Sequence, residues 1–172
     1  MVLKQFIKLF NYNMKTTNKT IDLTLLITRA TLGTVVFAHG AQKLLGWFGG
    51  YGFEGTMGFF TNDIGVPYVV GLLIILAESV GMVALVLGLL SRLISASLVA
   101  IMAGAIVTTH LPYGFFMDWS STQGGEGYEF HLLIIALAFV VILNGAGAYS
   151  LDHLIQKKFL SKATQEGQPS LG

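Results

Sequence analysis

Long apolar runs separated by glycine-rich polar stretches dominate the chain. Four such segments stand out, at about residues 21–45, 67–90, 92–110 and 128–149. Each approaches the ~20 residues a helix needs to cross a hydrocarbon core about 30 Å thick. The pattern therefore predicts an all-α membrane protein, a bundle of four transmembrane helices. The second segment is apolar except for Glu78 and opens at Pro67, a residue suited to a helix start. The third is rich in Ala, Ser, Gly and Leu, and the fourth is unbroken from Leu132 to Leu143. The first is the weakest by hydropathy, because Arg29, His39, Gln42 and Lys43 interrupt it. A cleaved signal peptide is the alternative there, but an internal Arg and three further apolar segments argue against it.

The ends differ from the middle and divide the chain into a basic N-terminal tail (1–20), a membrane domain (21–154) and a C-terminal tail (155–172). In the first tail Leu3, Phe6, Ile7 and Phe10 recur at helical spacing, which reads either as a short interfacial helix or as a frayed end; Met14 is an alternative start. Lys4, Lys8, Lys15 and Lys19 in that tail, Arg92 in the central turn and Lys157, Lys158 and Lys162 in the last tail contrast with the two long loops, 46–66 and 111–127. Those loops carry Glu54, Asp63, Asp118 and Glu126 and no Lys or Arg. By the positive-inside rule both termini are cytoplasmic (N-in/C-in) and the long loops face outward, where the aromatic residues also gather.

Composition narrows the function. Of 172 residues, 53% are hydrophobic and only 11% charged, against roughly a quarter charged in ordinary soluble domains. The length leaves no room for a separate catalytic domain, and the scattered Lys and Arg form no face for nucleic acid. Cysteine is absent, which excludes a disulfide framework, a thiol relay and Cys-ligated metal. Redox chemistry would need a borrowed group.

The ionisable residues inside the spans are the informative ones, since each costs about 2.5 to 3.5 kcal/mol at a helix centre on insertion scales. At about 1.5 Å per residue, Arg29 lies about 10 Å beyond Asp22 and Glu78 about 16 Å beyond Pro67. In a core about 30 Å thick those depths meet, so an Arg29 to Glu78 ion pair is expected, acting as a structural staple. The remaining groups, His39, Gln42, Lys43, His110, Glu129 and His131, come to one level near the outer leaflet because successive helices alternate in direction. His39 and Lys43 share a helical face, whereas Glu129 and His131, two apart, cannot both point into the bundle. Such a layer can supply the hydrogen-bond donors and proton route that a quinone requires. A haem or metal on His39, His110, His131 and Glu129 is the weaker reading, because the spacing matches no standard motif. The plainest alternative is that these groups mark water-facing helix ends.

The order of these residues is similar to that of a known family. Arg29, Gly33, Phe37, Ala38, His39, Gly40, Gln42, Lys43 and Leu44, then Gly46, Gly49, Gly50, Gly55, Thr56, Phe59 and Phe60, resemble the opening signature of the DoxX family of small bacterial membrane proteins. Ala77, Glu78, Gly81, Gly88, Leu89 and Arg92 continue it, as do His110, Leu111, Gly114, Phe115 and Phe116, the Gly127 to Glu129 run, and Gly145, Gly147, Tyr149, Ser150, Leu151 and Asp152. The resemblance covers about residues 25–154 and is not extended to His131. It implies a four-helix protein of the bacterial inner membrane, related to the DoxD-type subunit of thiosulfate:quinone oxidoreductase. Its expected partners are the lipid bilayer, other oxidoreductase subunits or redox proteins, and a second copy of itself. The resemblance implies equally a non-enzymatic alternative, a membrane scaffold for redox-stress or sulfur-metabolism proteins such as superoxide dismutase or a sulfurtransferase. A small-solute transporter is disfavoured, because four short helices leave little room for an alternating gate unless the protein oligomerises.

Overall fold

The computed structural model describes residues 19–166, with side chains through 159. The helical spacing expected at Leu3 to Phe10 lies outside the described residues. Helix α1 is Lys19–Leu45. A short turn at Trp47–Gly49 leads into α2, Gly52–Gly58, which runs on through a wider turn at Phe59–Asp63. Next come α3 (Tyr68–Glu78), α4 (Val80–Leu87) and α5 (Ser91–Ala105), the last extended by irregular turns to Tyr113. α6 is Glu129–Asn144 and α7 is Leu151–Glu166. Among the described residues there is no strand.

Three stretches are long and apolar enough to cross a membrane, Lys19–Leu45, Tyr68–Leu87 and Ser91–Tyr113, and α6 is a shorter apolar helix. Two expectations need correction. Residues 46–66 are not an open loop, because Phe53, Met57, Phe60 and Ile64 recur at helical spacing and bury an apolar face against Ile75 of α3. The second span is not one continuous helix. At Ser79 the hydroxyl donates to the Ile75 carbonyl at 2.6 Å, and the backbone leaves helical geometry at φ −103°, ψ −84°. Such back-bonding by serine bends helices.

The core is one layer of apolar side chains: Leu32 and Val36 of α1, Met82 and Leu85 of α4, Leu98 and Met102 of α5, and Ile134, Ala138 and Val141 of α6. In lipid such a layer is held by close packing, with no hydrophobic drive between helices. Small residues permit the approach. A side chain at Gly40 of α1 would fall onto the Glu78 carbonyl, so α1 and α3 cross backbone to backbone at that point.

Below the apolar layer a polar knot closes the bundle. Arg29, fully buried, donates to the carbonyls of Leu85 (3.2 Å), Val86 (3.0 Å) and Tyr149 (2.7 Å). The first two belong to the last turn of α4, where a cation is favoured; the Leu85 carbonyl also accepts from the Gly88 amide at 3.0 Å. Asp152 does the converse for α5, accepting from the amides of Leu90 (2.9 Å) and Ser91 (3.0 Å), and Asp22 accepts from Ala148 at 2.8 Å. Gly88, at φ +73°, ends α4 in the left-handed conformation that glycine adopts without strain, and a larger residue there would strike Arg29 and Ser150.

Candidate functional site

The opposite end of the bundle gathers the other ionisable groups. Lys43, four residues after His39 on α1, reaches across to Glu78 with Nζ at 2.5 Å from Oε2; the Glu78 side chain is 3% exposed and that of Lys43 27%. The expected pair between Arg29 and Glu78 is therefore not formed. Counting inward from Asp22 and Pro67 assumes that both helices begin at a membrane face, but Gly40 against Glu78 sets the register differently. From position 29 to position 40 is about 16 Å along α1, too far for Arg29 to reach. α3 also overshoots the end of α1: positions 68 to 78 span about 15 Å, positions 40 to 45 only about 8 Å. The overhang is filled by 46–66, and a cavity opens there.

That cavity, about 300 Å³, has His39, Gln42 and Lys43 on one wall, the Gly49 to Tyr51 turn on another and Thr56, Phe59 and Phe60 of the α2 segment on the third. Gln42 donates to the Phe48 carbonyl at 3.3 Å and so pins the turn to α1. Gly50 lies so close to Gln42 that a side chain there would collide with it. The cavity is thus partly open, with nitrogen donors on one side and aromatic faces on the other. Tyr51, Phe59 and Phe60 are accounted for at the level of sequence by an interfacial belt, and their part in the cavity is not foreseen. The helical spacing of Phe53, Met57, Phe60 and Ile64 is the signal that could have placed them.

His110 and His131 form a second locus beside the first. Their rings lie in contact, 4.1 Å between centroids and tilted by 46°. His110 Nδ1 is 2.7 Å from the Glu126 carbonyl, which makes that nitrogen the donor, since a carbonyl only accepts. His131 is 8% exposed, and its Nδ1 has no hydrogen-bond partner among the described residues. His39 connects the two loci, its ring 5.9 Å from that of Phe130 on α6.

Glu129 stands apart. Its carboxylate accepts from the Met117 amide at 2.9 Å and shapes the 114–127 loop. The metal set of His39, His110, His131 and Glu129 is accordingly not assembled, and among the described residues no three His, Asp or Glu side chains converge as metal ligands. Of the eight residues singled out from sequence, the structure brings His39, Gln42 and Lys43 to the cavity and Glu78 to Lys43. It sets the His110 ring against that of His131, turns Glu129 to the loop and places Arg29 at the far end.

Comparison with known proteins bears on the same residues. The family model described as DoxX matches residues 24–111, just over half of the chain, a range that contains the cavity, Glu78 and His110. The chain is similar to a protein of Bacillus subtilis (strain 168) named "Putative oxidoreductase CatD", 28% identical over 140 residues that cover 81% of this chain and 92% of that protein. No solved structure matches.

Proposed function

The chain belongs to the DoxX family of multi-pass membrane proteins, and on that premise we propose that it is the membrane subunit of a quinone-linked oxidoreductase, with the cavity at the end of α1 receiving the quinone headgroup. The observation that carries this reading is the cavity's composition: nitrogen donors His39, Gln42 and Lys43 face the aromatic rings of Tyr51, Phe59 and Phe60. Pockets for small molecules combine apolar walls with a few fixed polar groups, and about 300 Å³ is at the lower end of their range. A bound quinone would supply the redox chemistry that a chain without cysteine lacks. Lys43, paired with Glu78, presents a cationic donor to a carbonyl oxygen, and His39 offers a second nitrogen and a proton route. The name of the Bacillus relative is in keeping with this reading.

The proposal includes a location. In a bacterial cell membrane, positive charge at the Arg29 end favours cytoplasmic termini and a cavity toward the outer leaflet. The fourth crossing is then α6, whose 16 residues span about 24 Å and need local thinning or help from flanking residues to cross. Electrons come from a partner subunit or redox protein.

The test is the purified full chain. Extracted lipid should contain quinone, and an added short-chain ubiquinone or menaquinone analogue should raise Tm in wild type and not in His39→Ala. Absence of both effects would remove the proposal. A scaffold reading has its own support in Trp119, 88% exposed in the 114–127 loop. On that reading Trp119→Ser abolishes partner recovery and His39→Ala does not.

A further inference from the structure

The helix α7 is mounted with its faces reversed relative to a helix on a water-soluble protein. Asp152, His153 and Gln156 are half-buried, whereas Leu151, Leu154, Ile155 and Phe159 are exposed, Phe159 to 70%. These four positions fall within one side of a helix. Lys157 and Lys158 are exposed among them. Its first turn is tied down, because Asp152 caps α5, its own amide donates to the Gly88 carbonyl at 2.9 Å, and Arg29 holds Tyr149 just before the helix begins. An apolar face on a helix anchored at its first turn needs a cover.

Two observations select the cover. First, the surface beside α7 is already one that lipid must cover: Leu90, Leu93 and Leu143, at the same end of the membrane-spanning helices, are all exposed. The apolar face of α7 continues that surface. Second, Lys157 and Lys158 join Lys19 and Arg92 at this end, while the acids there among the residues with described side chains, Asp22 and Asp152, are taken up in backbone hydrogen bonds. Apolar continuity together with cationic charge matches the headgroup layer of an anionic bilayer. We infer that α7 is an interfacial foot, lying in an anionic lipid headgroup layer with Leu151, Leu154, Ile155 and Phe159 toward the acyl boundary and Lys157 and Lys158 at the phosphates. The lysine stems lie along the apolar surface while the ammonium groups reach outward.

This inference is independent of the quinone proposal and is tested on the full chain without any activity assay. The sequence has no cysteine, so Ile155→Cys takes a single environment-sensitive fluorophore. The labelled protein is placed in nanodiscs of phosphatidylcholine alone or mixed with phosphatidylglycerol, and only variants with wild-type Tm are compared. In the anionic discs the label should be quenched by lipids spin-labelled near the headgroup and protected from aqueous iodide. That protection should fall in about 1 M salt, where the Debye length is about 3 Å. K157E/K158E should lower the lipid-bound population by more than about fivefold for each lysine lost. Free access of iodide in both lipids would overturn the inference, because the helix then projects into water. Equal protection in both lipids would overturn the anionic assignment and the inference with it. Protection that depends on protein density instead of lipid charge would make the cover a second copy, also overturning it.

Discussion

At one end of the bundle Arg29 is buried without a carboxylate partner, its guanidinium shared among the carbonyls of Leu85, Val86 and Tyr149. At the other end Lys43 is held by a single carboxylate, Glu78, at the wall of a cavity, and His131 nearby leaves a nitrogen without a partner. Both arrangements keep charge inside an apolar bundle, but they leave different things undone. The Arg29 knot spends its donors on backbone carbonyls, of which Val86 and Tyr149 have no other donor among the described residues, so removing it damages the fold. The Lys43 pair retains an open side, so it can act on a ligand. Buried charge satisfied by backbone is scaffold; buried charge satisfied by one movable side chain beside a cavity is available for chemistry.

The largest expected effect tests the scaffold end. Arg29→Leu leaves the Val86 and Tyr149 carbonyls without their donor, at about 1–3 kcal/mol for each buried unsatisfied group, while the Leu85 carbonyl keeps the Gly88 amide. The total approaches the lower end of typical domain stability, about 5–15 kcal/mol, so little folded protein should be recovered in detergent. Arg29→Lys should restore part of it, because an ammonium reaches fewer carbonyls than a guanidinium fork. Wild-type Tm for Arg29→Leu would erase the contrast between the two ends.

A smaller effect is expected at the cavity. Glu78→Ala strands the Lys43 ammonium; fully buried pairs lose about 3–5 kcal/mol in this way, and the partial exposure of Lys43 reduces the loss to about 2 kcal/mol. The double variant Lys43→Leu/Glu78→Leu should recover Tm, since apolar replacement of a buried pair is often neutral, yet lose the shift caused by a quinone analogue. Recovery of both would make the pair a staple only. Thermal unfolding with and without the analogue measures both quantities.

How much of this was legible in the sequence follows the same division. Hydropathy gave the apolar segments because lipid exposure demands a nearly continuous signal, but it carried the fourth to residue 149, whereas α6 ends at Asn144, ahead of Gly145 at φ +81°. Glu78 and Arg29 were visible as costly residues, but their partners were not. Partners depend on helix register, which is set here by the contact of Gly40 with Glu78 and by the break at Ser79, and neither has a depth that can be counted from a helix start. The cavity was hidden for a related reason: the aromatics of 46–66 satisfy an interfacial belt and a cavity wall equally well until the overhang of α3 is known. Asp152 belonged to a recognised motif, yet its capping of Leu90 and Ser91 joins positions about sixty residues apart in sequence.

The smallest effect sharpens the comparison within the cavity end itself, where the 114–127 loop holds an acid satisfied entirely by backbone. Asp118 accepts from the amides of Thr122 and Gln123, each at 2.8 Å, while its own amide donates to Glu126 at 2.7 Å. The Thr122 amide is the chief reason its carboxyl titrates below the ordinary value of 3.8, with Gln123, Ser120 and Ser121 adding to the effect. A depressed folded value means that the carboxylate's contribution is complete above 3.8 and is lost as pH falls through the lower folded value. By the rule drawn from Arg29, Asp118 is scaffold although it lies near the chemistry. In a Trp47→Phe background the fluorescence of Trp119 reports the loop alone, since the chain has two tryptophans. Acidification below 3.8 should change that fluorescence in the parent, and Asp118→Asn should flatten the transition while leaving the quinone-analogue shift at neutral pH intact. An unchanged acid transition in Asp118→Asn would show that the loop is held by other groups, and a lost analogue shift would place the loop inside the site.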